Sequence, residues 1–177
     1  MPPGRASVPS DHSTRRPESA IGQNSAATLI GWREWLALPG LGIPAIKAKI
    51  DSGARSSALH VDALVEEQRS DGDWVRFQIQ PRRRSRTPRS GIWFEARIHA
   101  RRPVTDSGGH VSQRPFIRTL VRIGEQTFET EINLTNRRGM LFPMLLGRTA
   151  MAGRFVVDPA ASYLLPKPST HRKRPRA

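Results

Sequence analysis

The middle of this chain is dominated by runs of six to nine residues that favour extended backbone, each cut short by Gly, Pro, Asp or Asn. Trp32 to Leu38, Ala45 to Ile50, Trp74 to Ile79, Trp93 to His99, Pro115 to Ile123 and Thr127 to Leu134 are partly alternating. They are also rich in β-branched or aromatic residues, which fit a pleated, half-buried surface. Gly124-Glu125-Gln126 predicts a hairpin turn between the last two. Phe155 to Leu165 predicts one or two further strands, broken at Asp158-Pro159. Helix is expected only after Gly147, where Arg148 to Met151 has fair propensity. Many short strands at this spacing predict a mainly β domain, a small closed or nearly closed barrel with little helix.

A length of 177 residues fits one domain plus tails. The domain is expected over 29–165. Residues 1–28, rich in Ser, Pro, Arg and Ala, and the basic stretch 166–177 read as disordered tails. Pro81 to Ser90, with two prolines and a charge run, reads as an exposed loop. The net charge is +14, and leaving out 1–28 and 167–177 still leaves +8 on the core. A surplus of that size favours acidic partners, whether nucleic acid, anionic lipid or acidic polypeptide. The absence of cysteine excludes disulfides, thiolate metal sites and a cysteine nucleophile. No run reaches the roughly 18 apolar residues of a membrane span, and residues 1–28 lack the apolar core of a signal peptide. A cytoplasmic protein without a membrane partner is expected.

Asp51-Ser52-Gly53-Ala54 follows directly on the apolar-alternating run Ala45 to Ile50. There, Gly53 lets the backbone turn sharply, Ser52 can fix the loop by hydrogen bonding, and Ala54 leaves no bulk beside the carboxylate. The tripeptide alone is ordinary turn chemistry. A second element, Leu145-Leu146-Gly147-Arg148, lies 94 residues beyond Asp51. By itself it reads as core packing.

Together, in this order, the two resemble the paired motifs of retroviral-type aspartic peptidases. In those enzymes a hydrophobic-hydrophobic-Gly loop backs the Asp-Ser/Thr-Gly-Ala loop. Gly31 to Trp35, Ile43 to His60 and Met144 to Arg148 resemble more closely one bacterial and archaeal family. That family, long labelled ATP-dependent zinc proteases, is now regarded as retropepsin-like and is associated with RimK-type glutamate ligases. The resemblance implies a retropepsin-like fold and peptidase activity, for some members on glutamate tails. The older label finds no support in the residues. No His-Glu-x-x-His motif is present, and no two of His12, His60, His99, His110 and His171 have ligand spacing. No P-loop is present either. Neither metal nor cofactor is expected.

Aspartic peptidases hold two carboxylates so close that they share one proton; one activates water while the other donates to the scissile carbonyl. A chain with one such motif is expected to pair Asp51 with Asp51 of a second copy across a two-fold axis. Asp106-Ser107-Gly108-Gly109 repeats the tripeptide but follows Arg101-Arg102-Pro103-Val104-Thr105, not a buried strand. Ser107, Gly108 and Gly109 are therefore expected at the tip of a flap hairpin, the bland alternative being an ordinary mobile hairpin. Retroviral enzymes usually carry Asp where this chain has Arg55, so Arg148 needs another partner, either Glu34 or the substrate. Arg55 either favours acidic side chains in the cleft or is a solvated surface residue. The expected substrate is a peptide or protein, with glutamate-tailed proteins as a candidate. The competing function is a non-catalytic RNA- or ribosome-binding module acting through the basic loop and tail. Trp32, Trp35, Trp74 and Trp93 sit in apolar contexts that suggest core rather than base stacking.

Overall fold

The computed structural model describes residues 27–79, 91–106, 108–136 and 141–168. The first strands are β1 (Thr28–Gly31), β2 (Arg33–Leu38), β3 (Ile43–Asp51) and β4 (Ser57–His60). Next come β5 (Ala63–Arg69), β6 (Gly72–Ile79), β7 (Ile92–Arg97) and β8 (Ala100–Thr105). The chain continues with β9 (Val111–Ile123), β10 (Gln126–Thr135), β11 (Met144–Gly147), the short helix α1 (Arg148–Met151) and β12 (Phe155–Asp158).

Six strands close a ring. The order β10-β4-β11-β3-β2-β9 returns to its start because β9 also pairs with β10, and β8 continues from the other half of β9. Closure removes the exposed edges that an open sheet would present. Alternation decides which side chains fill the ring. In β3, Ile46, Ala48 and Ile50 are buried while Lys47, Lys49 and Asp51 point outward. Leu36, Leu59, Ile117, Val121, Ile132, Leu134 and Leu146 join them in one core cluster. Each such side chain contributes roughly 1.5–3 kcal/mol by leaving water. The fold is mainly β and nearly closed, as expected.

Among the described residues, two smaller sheets stand outside the ring. The antiparallel β5-β6-β7 sheet lays Val75 and Phe77 against the core and stacks Phe77 on Phe94 at 5.8 Å. Charged side chains of this sheet are interlocked: Arg69 pairs with Glu67 and Glu95, and Arg101 reaches from β8 to Glu66 and Asp73. The second small sheet is the parallel pair β1-β12, in register from Thr28↔Phe155 to Gly31↔Asp158.

Two expectations need correction. The tryptophans are not core residues: none is fully buried, and Trp93 is 46% exposed. Cations lie over their rings, Arg69 over Trp74 at 4.7 Å and Arg76 over Trp93 at 5.5 Å. Glu34 is not a partner for Arg148. Its buried carboxylate accepts the N–H groups of Gly31 (2.8 Å), Leu164 (2.8 Å) and Leu165 (3.3 Å). It thereby fastens the 164–165 segment to β1 and satisfies donors that would otherwise be buried alone. Beyond β12 the chain stays packed as far as Pro168, while 1–26, the basic loop at 80–90 and 169–177 lie outside the described residues.

Candidate active site

Asp51 is the last residue of β3, where the outward-facing alternation delivers its carboxylate to the strand end. Its Oδ1 accepts two N–H bonds from its own loop, from Gly53 and Ala54, both at 3.1 Å. These bonds fix the direction of the carboxylate, and Oδ2 lies 4.0 Å from Lys49 Nζ. Ser52 and Gly53 are exposed beside it.

The loop is gripped from behind. Strand β11 threads between β3 and β4, parallel to the first with Gly147↔Asp51 in register and antiparallel to the second with Met144↔Leu59. Leu145 and Leu146 are buried there, which is why an apolar pair precedes the glycine. Gly147 passes so close to the next loop that a Cβ would meet the carbonyl carbon of Ser56 at 2.5 Å. Helix α1 starts immediately afterwards, and its free N–H groups hold the Asp51 loop: Arg148 donates to Ala54 O (2.9 Å) and Thr149 to Arg55 O (3.2 Å). Leu145-Leu146-Gly147-Arg148 and Asp51-Ser52-Gly53-Ala54 therefore form one structural unit. The Arg148 side chain is exposed.

Three residues that the sequence reading did not single out complete this support. Ser57 Oγ accepts the Gly147 N–H at 3.1 Å. The buried Asn133 of β10 donates to Ser57 O at 2.7 Å, and its Oδ1 accepts from Arg114 Nη1 at 3.3 Å. Ser57 falls within the 43–60 resemblance without a role being marked for it, and no motif marks Asn133 or Arg114, because their roles depend on partners 76 and 19 residues away.

Asp51 opens onto a cleft of about 1250 Å³, lined also by Gly53, Ala54, Arg55, Asp106 and Gly108. Its far wall is the β8–β9 hairpin, paired from Ala100↔Phe116 to Thr105↔Val111. At the hairpin tip Asp106 Oδ1 accepts the N–H groups of Gly108 (2.8 Å) and His110 (3.0 Å). The His110 N–H above all holds this carboxyl below its usual range. Asp106 is thus engaged in capping the turn. Gly109 adopts φ +84°, a left-handed conformation that suits glycine, and Ser107 lies outside the described residues. At the base of the hairpin Glu131 binds Arg102, and His99 Nε2 lies 2.9 Å away. Arg102 is the main cause of a depressed Glu131 pKa.

A buried-backed carboxylate loop, an apolar-apolar-Gly strand threaded behind it and a hairpin across the cleft form one arrangement. Residues 29–168 match the RimB-like family, described as the retropepsin-like aspartic endopeptidase RimB. The chain belongs to this family. Among curated proteins, a probable alpha-L-glutamate ligase of Parasynechococcus marenigrum is 42% identical over 137 residues. Another, of Shewanella halifaxensis, is 39% identical over 137 residues. Each alignment covers 77% of this chain, which spans only 29% and 30% of those relatives' length. Among solved structures, a Legionella pneumophila protein of unknown function superposes with a TM-score of 0.64 at 26% identity. That match covers 78% of this chain and 98% of the other. Residues 43–60, within the matched range, form β3, the Asp51 loop and β4.

Proposed function

We propose that the chain is an aspartic endopeptidase that hydrolyses peptide bonds as a homodimer, with Asp51 of each copy forming the catalytic pair. The observation that carries this reading is the Asp51 carboxylate itself. It is fixed by two N–H bonds at a strand end, backed by Leu145-Leu146-Gly147, and opens onto a peptide-sized cleft. Across a two-fold axis, the two carboxylates share one proton. The ionised member takes a proton from water, and the protonated member donates to the scissile carbonyl oxygen. Gly53 and Ala54 orient the carboxylate, Ser52 borders it, and Leu145, Leu146, Gly147 and Arg148 hold the loop. Gly108 and Gly109, with Ser107, close over the substrate as a flap, and Arg55 faces its acidic side chains.

Glutamate-rich tails are the proposed substrate. The core's positive charge suits them, and relatives that share this region bear the name of glutamate ligases. Of the basic stretches that motivate an RNA-binding alternative, 80–90 and 169–177 lie outside the described residues.

The deciding experiment is cleavage of glutamate-tailed and neutral peptides by the natural protein and by Asp51→Asn, across about pH 4 to 8. The expected result is a bell-shaped profile that vanishes in Asp51→Asn, at least a hundredfold loss being typical of a removed catalytic acid–base group. Activity that survives the substitution overturns the assignment.

A further inference from the structure

The outward face of β2 and β3 carries a second feature, continuous with the cleft and distinct from its catalytic loop. Arg33 lies directly opposite Lys49, and Trp35 opposite Lys47, so all four project from the same face as Asp51. At about 3.3 Å per residue, Lys47 stands roughly 13 Å along the strand from Asp51. Tyr163, with a left-handed φ of +55°, is turned onto this face and held by its N–H bond to Arg33 O at 2.9 Å.

The rings and cations interleave. Arg33 lies over Trp32 at 4.6 Å and over Tyr163 at 5.1 Å. Lys47 sits 5.3 Å from both Trp35 and Tyr163, and Lys167 lies over Trp35 at 4.5 Å. Among the described residues, no carboxylate pairs with Arg33, Lys47 or Lys167, whereas the cations Arg69, Arg76, Arg101 and Arg102 all have one. Here the rings hold positive charges in place, and Arg33 Nε also donates to Ser162 Oγ at 3.1 Å, so these cations are fixed by rings and a hydroxyl rather than by carboxylates.

We infer that this face is a binding track for an extended acidic peptide, receiving the part of a substrate that lies beyond the cleft. The assignment rests on the reading of the cleft as a peptidase site. Three arguments select this occupant. Lys47 and Lys49 recur at the two-residue spacing of side chains on one face of an extended peptide, so every second residue of an acidic peptide can meet a cation, Lys49 doing so beside Asp51 Oδ2 at 4.0 Å. A single-stranded nucleic acid needs open aromatic faces for its bases, and here Arg33, Lys47 and Lys167 occupy faces of Trp32, Trp35 and Tyr163. A second copy of the same face, brought up across a two-fold axis, would oppose cation to cation.

The test is made on the full chain carrying Asp51→Asn, so that binding is read without turnover. Fluorescence of the tryptophans is titrated with a ten-residue oligoglutamate, an oligoglutamine of equal length and oligouridine, at low and high salt. Oligoglutamate is expected to bind in a salt-sensitive manner. Adding Lys47→Gln and Lys167→Gln should weaken it about tenfold, while Lys47→Arg with Lys167→Arg keeps it. Should the paired Gln variant fail to fold, Lys167→Glu alone gives the same comparison on an exposed residue. Affinity unchanged by these substitutions, or tighter binding of oligouridine than of oligoglutamate, overturns the track. Cleavage by the natural protein is scored separately. If binding holds without cleavage, only the peptidase reading fails; if cleavage holds with binding indifferent to the variants, only the track fails.

Discussion

A methyl group on Gly147 would press on the Ser56 carbonyl carbon at 2.5 Å, against backbone rather than a side chain that could swing aside. Relief requires β11 and the Asp51 loop to separate. Gly147→Ala is therefore expected to cost about 1–3 kcal/mol, the usual range for overpacking. Activity should fall further than stability alone explains, because Ala54 and Arg55 are held through the start of α1. Urea unfolding beside peptide cleavage at a temperature where the variant is folded checks both parts. The need for glycine was legible from the apolar-apolar-Gly pattern. Its partner was not, since Ser56 lies 91 residues earlier and meets Gly147 only after β11 has threaded between β3 and β4. Separations of 90 residues for Ser57 and 76 for Asn133 hid their roles, and Arg114 carries no signature of its own. Glu34, one of the two partners offered for Arg148, is engaged elsewhere for a related reason. A buried carboxylate can be satisfied by backbone donors as well as by a cation, and sequence does not show which.

Strands with a buried, β-branched stripe were visible in the sequence, and their ends move only by a few residues in β3, β6, β9 and β10. Others escaped because their surroundings, not their composition, make them extended. Strand β5 reads Ala-Leu-Val-Glu-Glu-Gln-Arg, and β8 carries Arg101, Arg102 and Pro103; ion pairs to other strands neutralise these charges. Four-residue β4 and β11 are too short to announce a period and are fixed by each other and by their neighbours. The hairpin β8–β9 shows how such pairs contribute. Glu131 is ionised more readily in the fold than in the unfolded chain, because Arg102 stabilises its charged form. Its contribution is present above the ordinary carboxylate pKa and is lost as pH falls through the lowered one. Glu131→Gln should accordingly be less stable at neutral pH and should lose less stability on acidification than the natural protein. Thermal unfolding of both proteins between about pH 7 and 3 tests the sign.

At the scale of the whole molecule, a site completed by a second copy has a stoichiometric signature. When natural protein and Asp51→Asn are mixed in equal amounts at constant total protein and the subunits exchange, about a quarter of the proposed dimers hold two natural chains. Activity should fall to that fraction, not to half, as assayed by peptide cleavage after equilibration. A fall to half would place a complete site in each chain. The near-closed ring was foreseeable from the number and spacing of its strands. The union of the first and last described strands was not, because β1 is four residues long and lies at the edge of a stretch read as a tail. That union has a mechanical consequence. Tension on the chain draws β1 towards its beginning and β12 towards its end, and in a parallel pair these pulls run along the strands in opposite directions. The hydrogen bonds from Thr28 to Asp158 then bear the force in shear, all at once rather than one after another. Forced unfolding is governed by the barrier on that route, so tension applied outside residues 28 and 158 has to break the β1–β12 pair as a unit before it reaches the ring.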